Sequence, residues 1–433
     1  MKRTLLCVVL VVVAGCSVPA ASSDRSTPGT DRLGWENGYW YDDSITADVT
    51  DGINESEREA IVSRQMARIE HLRDLEFEDP VEVRVISRDE FQRNRRGGTD
   101  ETHARWNDQV WEALFLVGED TSVEDAFNDT LGSTVLGYYR GGTDEIVVVS
   151  DSEHPVIDRS TLAHELVHAL QDQQFGLGDV PDTQDRQLAR NGVVEGEANL
   201  IEARYEQRCE TEWDCVETPV RSGGGGGGDV NRGVLLLVLS PYMSGPDFVA
   251  SVQRRGGWAA VDDLHREFPA SMEQVIYPEK YPDETPVDVT VPDQSSGDWE
   301  RFDHDPVADT VGQASIHVMF FQNGVRSESV SRYSFEHPAA EGWAGDSLVP
   351  YRSGDRYGYV WETAWDSEQD ARQFVEAYHD LLDSHGAESR GNDVAVVPGP
   401  SRFDDAFRVT RDGNRVRVVN GPSVDSLSAI HPR

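Results

Sequence analysis

Thr161-Leu162-Ala163-His164-Glu165-Leu166-Val167-His168-Ala169-Leu170 carries the pattern H-E-x-x-H on an apolar background. Read as a helix over 161–174, it places His164 and His168 one turn apart on one face, where both imidazoles reach a single ion. Glu165 stands beside them and can serve as base toward a water activated there. Neutral imidazole suits Zn2+, and a site with an open fourth position brings the pKa of its water to about 7. The bland alternative is a structural helix with a satisfied core histidine and an exposed glutamate. The apolar neighbours Leu162, Ala163, Leu166, Val167, Ala169 and Leu170 weigh against it, because uncompensated polar side chains among them are costly.

A tetrahedral site needs a third protein ligand. Val194-Glu195-Gly196-Glu197-Ala198-Asn199, on a second helix expected over 185–207, offers two carboxylates. Residues two apart on a helix point roughly 200° apart, so only one of them can face the metal. Glu195 is the choice and Glu197 the alternative. The small Gly196 is expected to let the two helices approach closely.

These two segments together resemble the gluzincin metallopeptidases, whose third ligand is a glutamate in an N-E-G-x-A-like helix. That resemblance places the ligand on Glu195. The 26 residues between His168 and Glu195 exceed the interval of thermolysin-like members. The wider sequence resembles a family of haloarchaeal surface lipoproteins with a zincin-like core. The matching segments are Gly34-Trp35-Glu36-Asn37-Gly38, 162–174, 194–198, 269–281 and Gly342-Trp343-Ala344-Gly345-Asp346. The resemblance implies a peptide or protein substrate. It also implies an edge strand that pairs with extended substrate, and a side chain that steadies the oxyanion. Residues 146–149, just before the motif helix, are the expected edge strand. Tyr277 is the expected oxyanion partner, although relatives carry His there. Lys280, the only lysine after Lys2, reads as a surface ion pair. His304, Asp305 and His317 are weaker candidates for supporting roles.

Composition narrows the alternatives. The 433 residues hold 39 Lys+Arg against 79 Asp+Glu, a net charge of −40, and mean hydropathy is −0.53. That charge repels phosphates and excludes general nucleic-acid binding. The polarity excludes a multi-span membrane protein. Ten Trp, 13 Tyr and 14 Phe argue for a folded chain rather than a disordered acidic one. Abundant carboxylates with almost no lysine fit life in molar salt, where the Debye length is about 3 Å and self-repulsion is screened. No phosphate-binding loop and no G-x-S-x-G elbow is present.

The N-terminus sets the expected compartment. Met1-Lys2-Arg3 precedes an apolar run over 4–14 that is too short to span a bilayer and reads as a signal peptide. Val13-Ala14-Gly15-Cys16 resembles a lipobox, which makes Cys16 the lipidated first residue of a protein anchored to the cell membrane, facing outward. Cys209 and Cys215 are left as an even pair in an oxidising compartment, so a disulfide between them is expected.

The expected organisation follows. Residues 1–15 are the signal peptide and 16–34 the lipid anchor and flexible tether. Residues 35–222 form a zincin-like part carrying the metal motif. Six glycines, 223–228, form a loop, and 229–433 are a C-terminal α+β part packing on the core. Helices are expected over 55–75, 102–117, 311–322 and 368–385, near 233, and over 258–268. Strands are expected over 80–87 and 359–365. Hairpins are expected across Gly141-Gly142-Thr143-Asp144 and at Asp412-Gly413. The fold class is α+β with a zincin-like (gluzincin) core. The rival functional reading is a non-catalytic surface-binding or structural lipoprotein that kept the same fold.

Overall fold

The computed structural model describes residues 28, 30–47, 52–95, 100–132, 135–152, 158–178, 180–216, 230–325 and 334–433. The signal peptide, Cys16 and the six-glycine run lie outside them, as does most of the tether. The fold is mixed α+β. In its first half, β1 (Trp35–Glu36) and β2 (Tyr39–Trp40) precede α1 (Glu55–Arg73), β3 (Glu82–Ile86), α2 (Arg88–Arg95), α3 (Glu101–Ala113), α4 (Val123–Leu131), β4 (Gly137–Arg140), β5 (Glu145–Val149), α5 (Arg159–Phe175) and α6 (Gln184–Thr211). The second half runs α7 (Arg232–Arg266), α8 (Met272–Ile276), β6 (Glu300–Arg301), α9 (Gly312–Gln322), β7 (Trp343–Ser353), β8 (Arg356–Trp365), α10 (Glu368–Ser384), β9 (Glu388–Gly391), β10 (Val394–Val396), β11 (Ala406–Asp412), β12 (Arg415–Gly421) and α11 (Val424–Ile430).

A small sheet of order β3-β5-β4 backs the motif helix, with β3 parallel and β4 antiparallel to β5. Residues 146–149 therefore form the central strand, not the edge. The hydrophobic run Ile146 to Val149 is buried on both faces, as a central strand requires. The edge beside α5 is β4. Its partner α5 starts at Asp158, whose side chain accepts from the Thr161 backbone N–H at 2.9 Å. Leu162, Ala163, Leu166, Val167, Ala169 and Leu170 are each no more than 1% exposed and pack with α1, α6 and the sheet.

α6 and α7 touch backbone to backbone. A Cβ on Gly196 would lie 2.4 Å from the carbonyl carbon of Gly245, and one on Gly245 would lie 2.2 Å from the Gly192 oxygen. The close approach expected of Gly196 is thus made toward α7 rather than toward the motif helix. α7 is long and apolar enough to cross a membrane by length and composition. Here Leu237, Phe248, Val249 and Val252 are buried in the core. Gly257, at φ 72°, breaks the helix where two separate helices are expected.

The second half builds an antiparallel sheet of order β6-β7-β8-β12-β11-β10-β9. Its strands alternate. Trp361 and Trp365 meet Phe374 of α10 on one face, while Val360 and Val419 meet Leu427 and Ile430 of α11 on the other. One apolar core runs from Trp106 and Val110 through Leu188, Leu237 and Phe248 to Phe320, Trp361 and Phe374. It crosses the glycine run, so the two halves share a core.

Candidate metal centre

His164 and His168 project from α5 toward Glu195 of α6. His164 Nε2 lies 3.1 Å from Glu195 Oε2 and 3.1 Å from His168 Nε2, and His168 Nε2 lies 3.3 Å from the same oxygen. Each imidazole is held from behind. His164 Nδ1 donates to Glu202 Oε2 at 3.2 Å, and His168 Nδ1 to Gln171 Oε1 at 3.0 Å. The Gln171 amide nitrogen donates to Glu197 at 2.8 Å and to the Val194 carbonyl at 3.0 Å, which leaves its oxygen to accept from His168. With Nδ1 committed on both rings, the Nε2 atoms face one another and the carboxylate. Such outer hydrogen bonds fix tautomer and ring orientation at metal sites.

The donor set fits a zinc-type ion. Bond lengths of about 2.0–2.2 Å in a tetrahedron put neighbouring donor atoms about 3.3–3.6 Å apart, a few tenths of an ångström wider than most of the spacings here. The electrostatics favour a cation at the same point. Burial opposes charge on His164, but Glu195 and Glu202 outweigh it and push the imidazole up to about 10. Burial also opposes charge on Glu195, yet the two histidines hold its carboxyl well below the usual range.

Glu165 is 8% exposed and sits beneath β4. Burial raises its carboxyl, and the two histidines pull it back. The Tyr139 backbone N–H donates to it, so the edge strand and the candidate base are in contact. Glu197 points away from the cluster. It is 1% exposed and pairs with Arg73 of α1, with His265 of α7 at 2.5 Å and with Gln171. The alternative third ligand is therefore a structural charge.

Tyr277 is not part of the cluster. It caps α8, accepts from Gln313 Nε2 at 3.2 Å, and has Glu341, Glu336 and Glu273 as its electrostatic neighbours. The tyrosine at the site is Tyr242 of α7. Its ring lies parallel to His164, with centroids 6.2 Å apart and planes 10° apart, and burial, then the Glu195 charge, raise its hydroxyl. Its sequence surroundings, Ser240-Pro241-Tyr242, sit inside an apolar helix and carry no motif. Lys280 pairs with Glu273 at 2.8 Å and with Glu284 at 2.5 Å, the ion pair expected of it. His304 contacts His103 at 2.8 Å and stacks on Trp106, with Asp305 beside it in the cleft wall. His317 is buried between Phe321 and Phe335, remote from the cluster. Cys209 and Cys215 form a disulfide, with Cα atoms 5.5 Å apart.

Glu195 and Tyr242 also line a cleft of about 800 Å³ bordered by α3, α4, α6, α7 and the 304–309 segment, whose lining includes neither histidine of the cluster nor Glu165. Trp106, Trp111 and Phe127 supply aromatic faces, and Asp108, Glu124 and Asp182 supply carboxylates. No Arg or Lys is among the lining residues.

A family model described as a domain of unknown function (DUF8575) matches residues 300–431. That stretch is the seven-stranded sheet with α9, α10 and α11, and it holds none of the cluster's residues. No curated protein and no solved structure matches the chain.

Proposed function

We propose that this chain is a metal-dependent peptidase with a zincin-like core, held on the outer face of the cell membrane by lipid on Cys16. The observation that carries this reading is the convergence of His164, His168 and Glu195 next to a buried Glu165, with Glu195 on the wall of a cleft. Those three residues would hold a zinc-type ion. When bound, it supplies the Lewis acidity that brings the pKa of a water in an open coordination position to about 7.

The chain's own groups take the remaining roles. Glu165 accepts a proton from the attacking water and delivers it to the leaving amine. The Tyr242 hydroxyl donates to the carbonyl oxygen as charge develops there. The outer edge of β4 binds an extended peptide by strand addition and aligns it over Glu165. A cleft with carboxylates and aromatic faces and no cationic side chain accepts neutral or basic residues and repels acidic ones.

The test uses the purified chain in molar salt. It is expected to hold about one zinc per chain, lost in His168→Ala. Glu165→Gln is expected to keep the zinc and to lose roughly a thousandfold in cleavage of an unstructured peptide. Full-rate cleavage by Glu165→Gln would remove that residue's role. A zinc-loaded wild type that cuts no peptide would remove the peptidase reading and leave the surface-binding one.

A further inference from the structure

A second cluster stands on the opposite side of α3 and belongs to neither the histidine site nor the proposed chemistry. Glu112, in the last turn of α3, Glu119, in the turn that follows, and Asp405, just before β11, bring carboxylate oxygens within 4.8 Å of one another. They line a cavity of about 290 Å³. Among the described residues no arginine or lysine pairs with any of the three. Arg105 and Arg356 border the cavity, but Arg105 is bound to Asp108 at 3.5 Å and Arg356 to Ser353 at 2.7 Å.

Gln109 supplies an independent observation. It is 6% exposed, lines the same cavity, and donates from Nε2 to Glu112 Oε2 at 2.7 Å. Its Oε1 is buried without a hydrogen-bond partner. Flipping the amide would set oxygen against an ionised Glu112 carboxylate, so with Glu112 ionised, as a bound cation would keep it, this orientation leaves an acceptor that lacks a donor. A buried acceptor in that state is costly unless a cation or a water meets it.

The rest of the cavity is rigid. Asn420 of β12 donates to Asp405 Oδ2 at 2.8 Å. The Glu119 backbone N–H bonds the Arg402 carbonyl at 3.1 Å, and a Cβ on Gly118 would lie 2.8 Å from Arg402 atoms. The turn bearing Glu119 is thereby locked against the segment bearing Asp405. Glu119 is exposed and gives the cavity its opening to solvent.

We propose that Glu112, Glu119, Asp405 and the Gln109 carbonyl form a calcium site that ties α3 to the C-terminal sheet. The donors are all oxygen, the set of a hard cation and not of zinc. Ca2+ takes oxygens at about 2.3–2.6 Å, so ligands across the ion stand up to about 5 Å apart, consistent with this spread.

The experiment is a calorimetric titration of Ca2+ into the full chain in molar NaCl, where diffuse binding to the acidic surface is screened. It is run beside Glu119→Gln, an exposed substitution that leaves the fold in place, and Asp405→Asn. The expected result is one saturable site, weakened at least tenfold by Glu119→Gln. Saturating Ca2+ is expected to raise the Tm of the wild type but not of Asp405→Asn. Absence of saturable binding by the wild type overturns the proposal. So does binding undiminished in Glu119→Gln, and so does an Asp405→Asn chain whose Tm still rises with Ca2+.

Discussion

Glu195 and Glu197 are two residues apart on α6 and work on opposite sides of it. Glu195 faces α5, keeps 18% of its side chain exposed, and meets two imidazole nitrogens beside a cleft. Glu197 faces α1 and the far end of α7, is 1% exposed, and has its oxygens taken by Arg73, His265 and Gln171. One carboxylate faces two imidazoles beside the cleft, and the other is enclosed among Arg73, His265 and Gln171. Residue type does not separate these roles; helical phase does. Gln171 joins the two faces, since its oxygen orients His168 and its nitrogen bonds Glu197.

Exchanging the roles is the largest test of that contrast. Glu197→Gln leaves His265 without its carboxylate and Arg73 with Asp262 alone. Breaking a buried charged network in this way costs about 3–5 kcal/mol. The folded fraction is still expected to bind zinc near one per chain. Glu195→Gln is expected to leave the denaturation midpoint within about 1 kcal/mol of wild type and to weaken zinc by ~100-fold or more, beyond what outer partners cost. Denaturation curves paired with zinc titrations decide it. A Glu197→Gln chain of full stability that has lost its zinc would erase the contrast.

A smaller effect sharpens the cleft side. Tyr242→Phe keeps the ring beside His164 and removes only the hydroxyl. Zinc affinity and stability are expected to hold while kcat falls ~100–1000-fold, the range for loss of one oxyanion donor. An unchanged kcat would mean that the hydroxyl serves only to orient Glu195. Tyr277→Phe on the same substrate is the matched control, expected to be neutral for kcat.

Much of this was legible because the relevant signals are local. H-E-x-x-H on an apolar helix, the carboxylates of 195–197 and the 412–413 turn each depend on spacing within one element. What escaped depends on packing between elements. Tyr242 enters the site only because Gly192, Gly196 and Gly245 let α6 and α7 touch, and nothing near residue 242 signals that approach. The choice of 146–149 as the edge failed for the same reason, since the partner β3 lies some sixty residues earlier. Trp343, which carries no strand signal, begins an eleven-residue strand and donates from Nε1 to Asp346 at 2.9 Å. Short elements such as β9 and β10 carry too few alternations to register as strands. The Asn37-Gly38 turn of the first hairpin, with φ of 44° and 95°, was present in the sequence but masked by its aromatic neighbours.

The smallest effect tests whether the buried face of α1 stands on fixed charge throughout. Glu70 of α1 accepts from the Gly34 and Phe77 backbone N–H groups at 2.7 and 2.8 Å. Its other neighbour is Glu36, 6% exposed, which burial and then the Glu70 charge raise well above the usual carboxylate range. Glu36 therefore keeps its proton in the folded chain and donates it to Glu70, whereas Arg73 and Glu197 are both ionised. In the unfolded chain Glu36 ionises near pH 4.3. Above that pH the unfolded state releases a proton that the folded state retains. The wild type then loses stability as pH rises toward the folded value, by at most about 1.4 kcal/mol per unit. Glu36→Gln keeps a neutral donor and removes the share of that loss due to Glu36, leaving only that of Glu70, which burial raises to about 7. Its stability advantage is expected to grow between pH 5.5 and pH 8 in denaturant titrations. A difference that stays flat over that window would mean that Glu36 is ionised in the fold and that both carboxylates of the pair are held by charge, as Glu197 is.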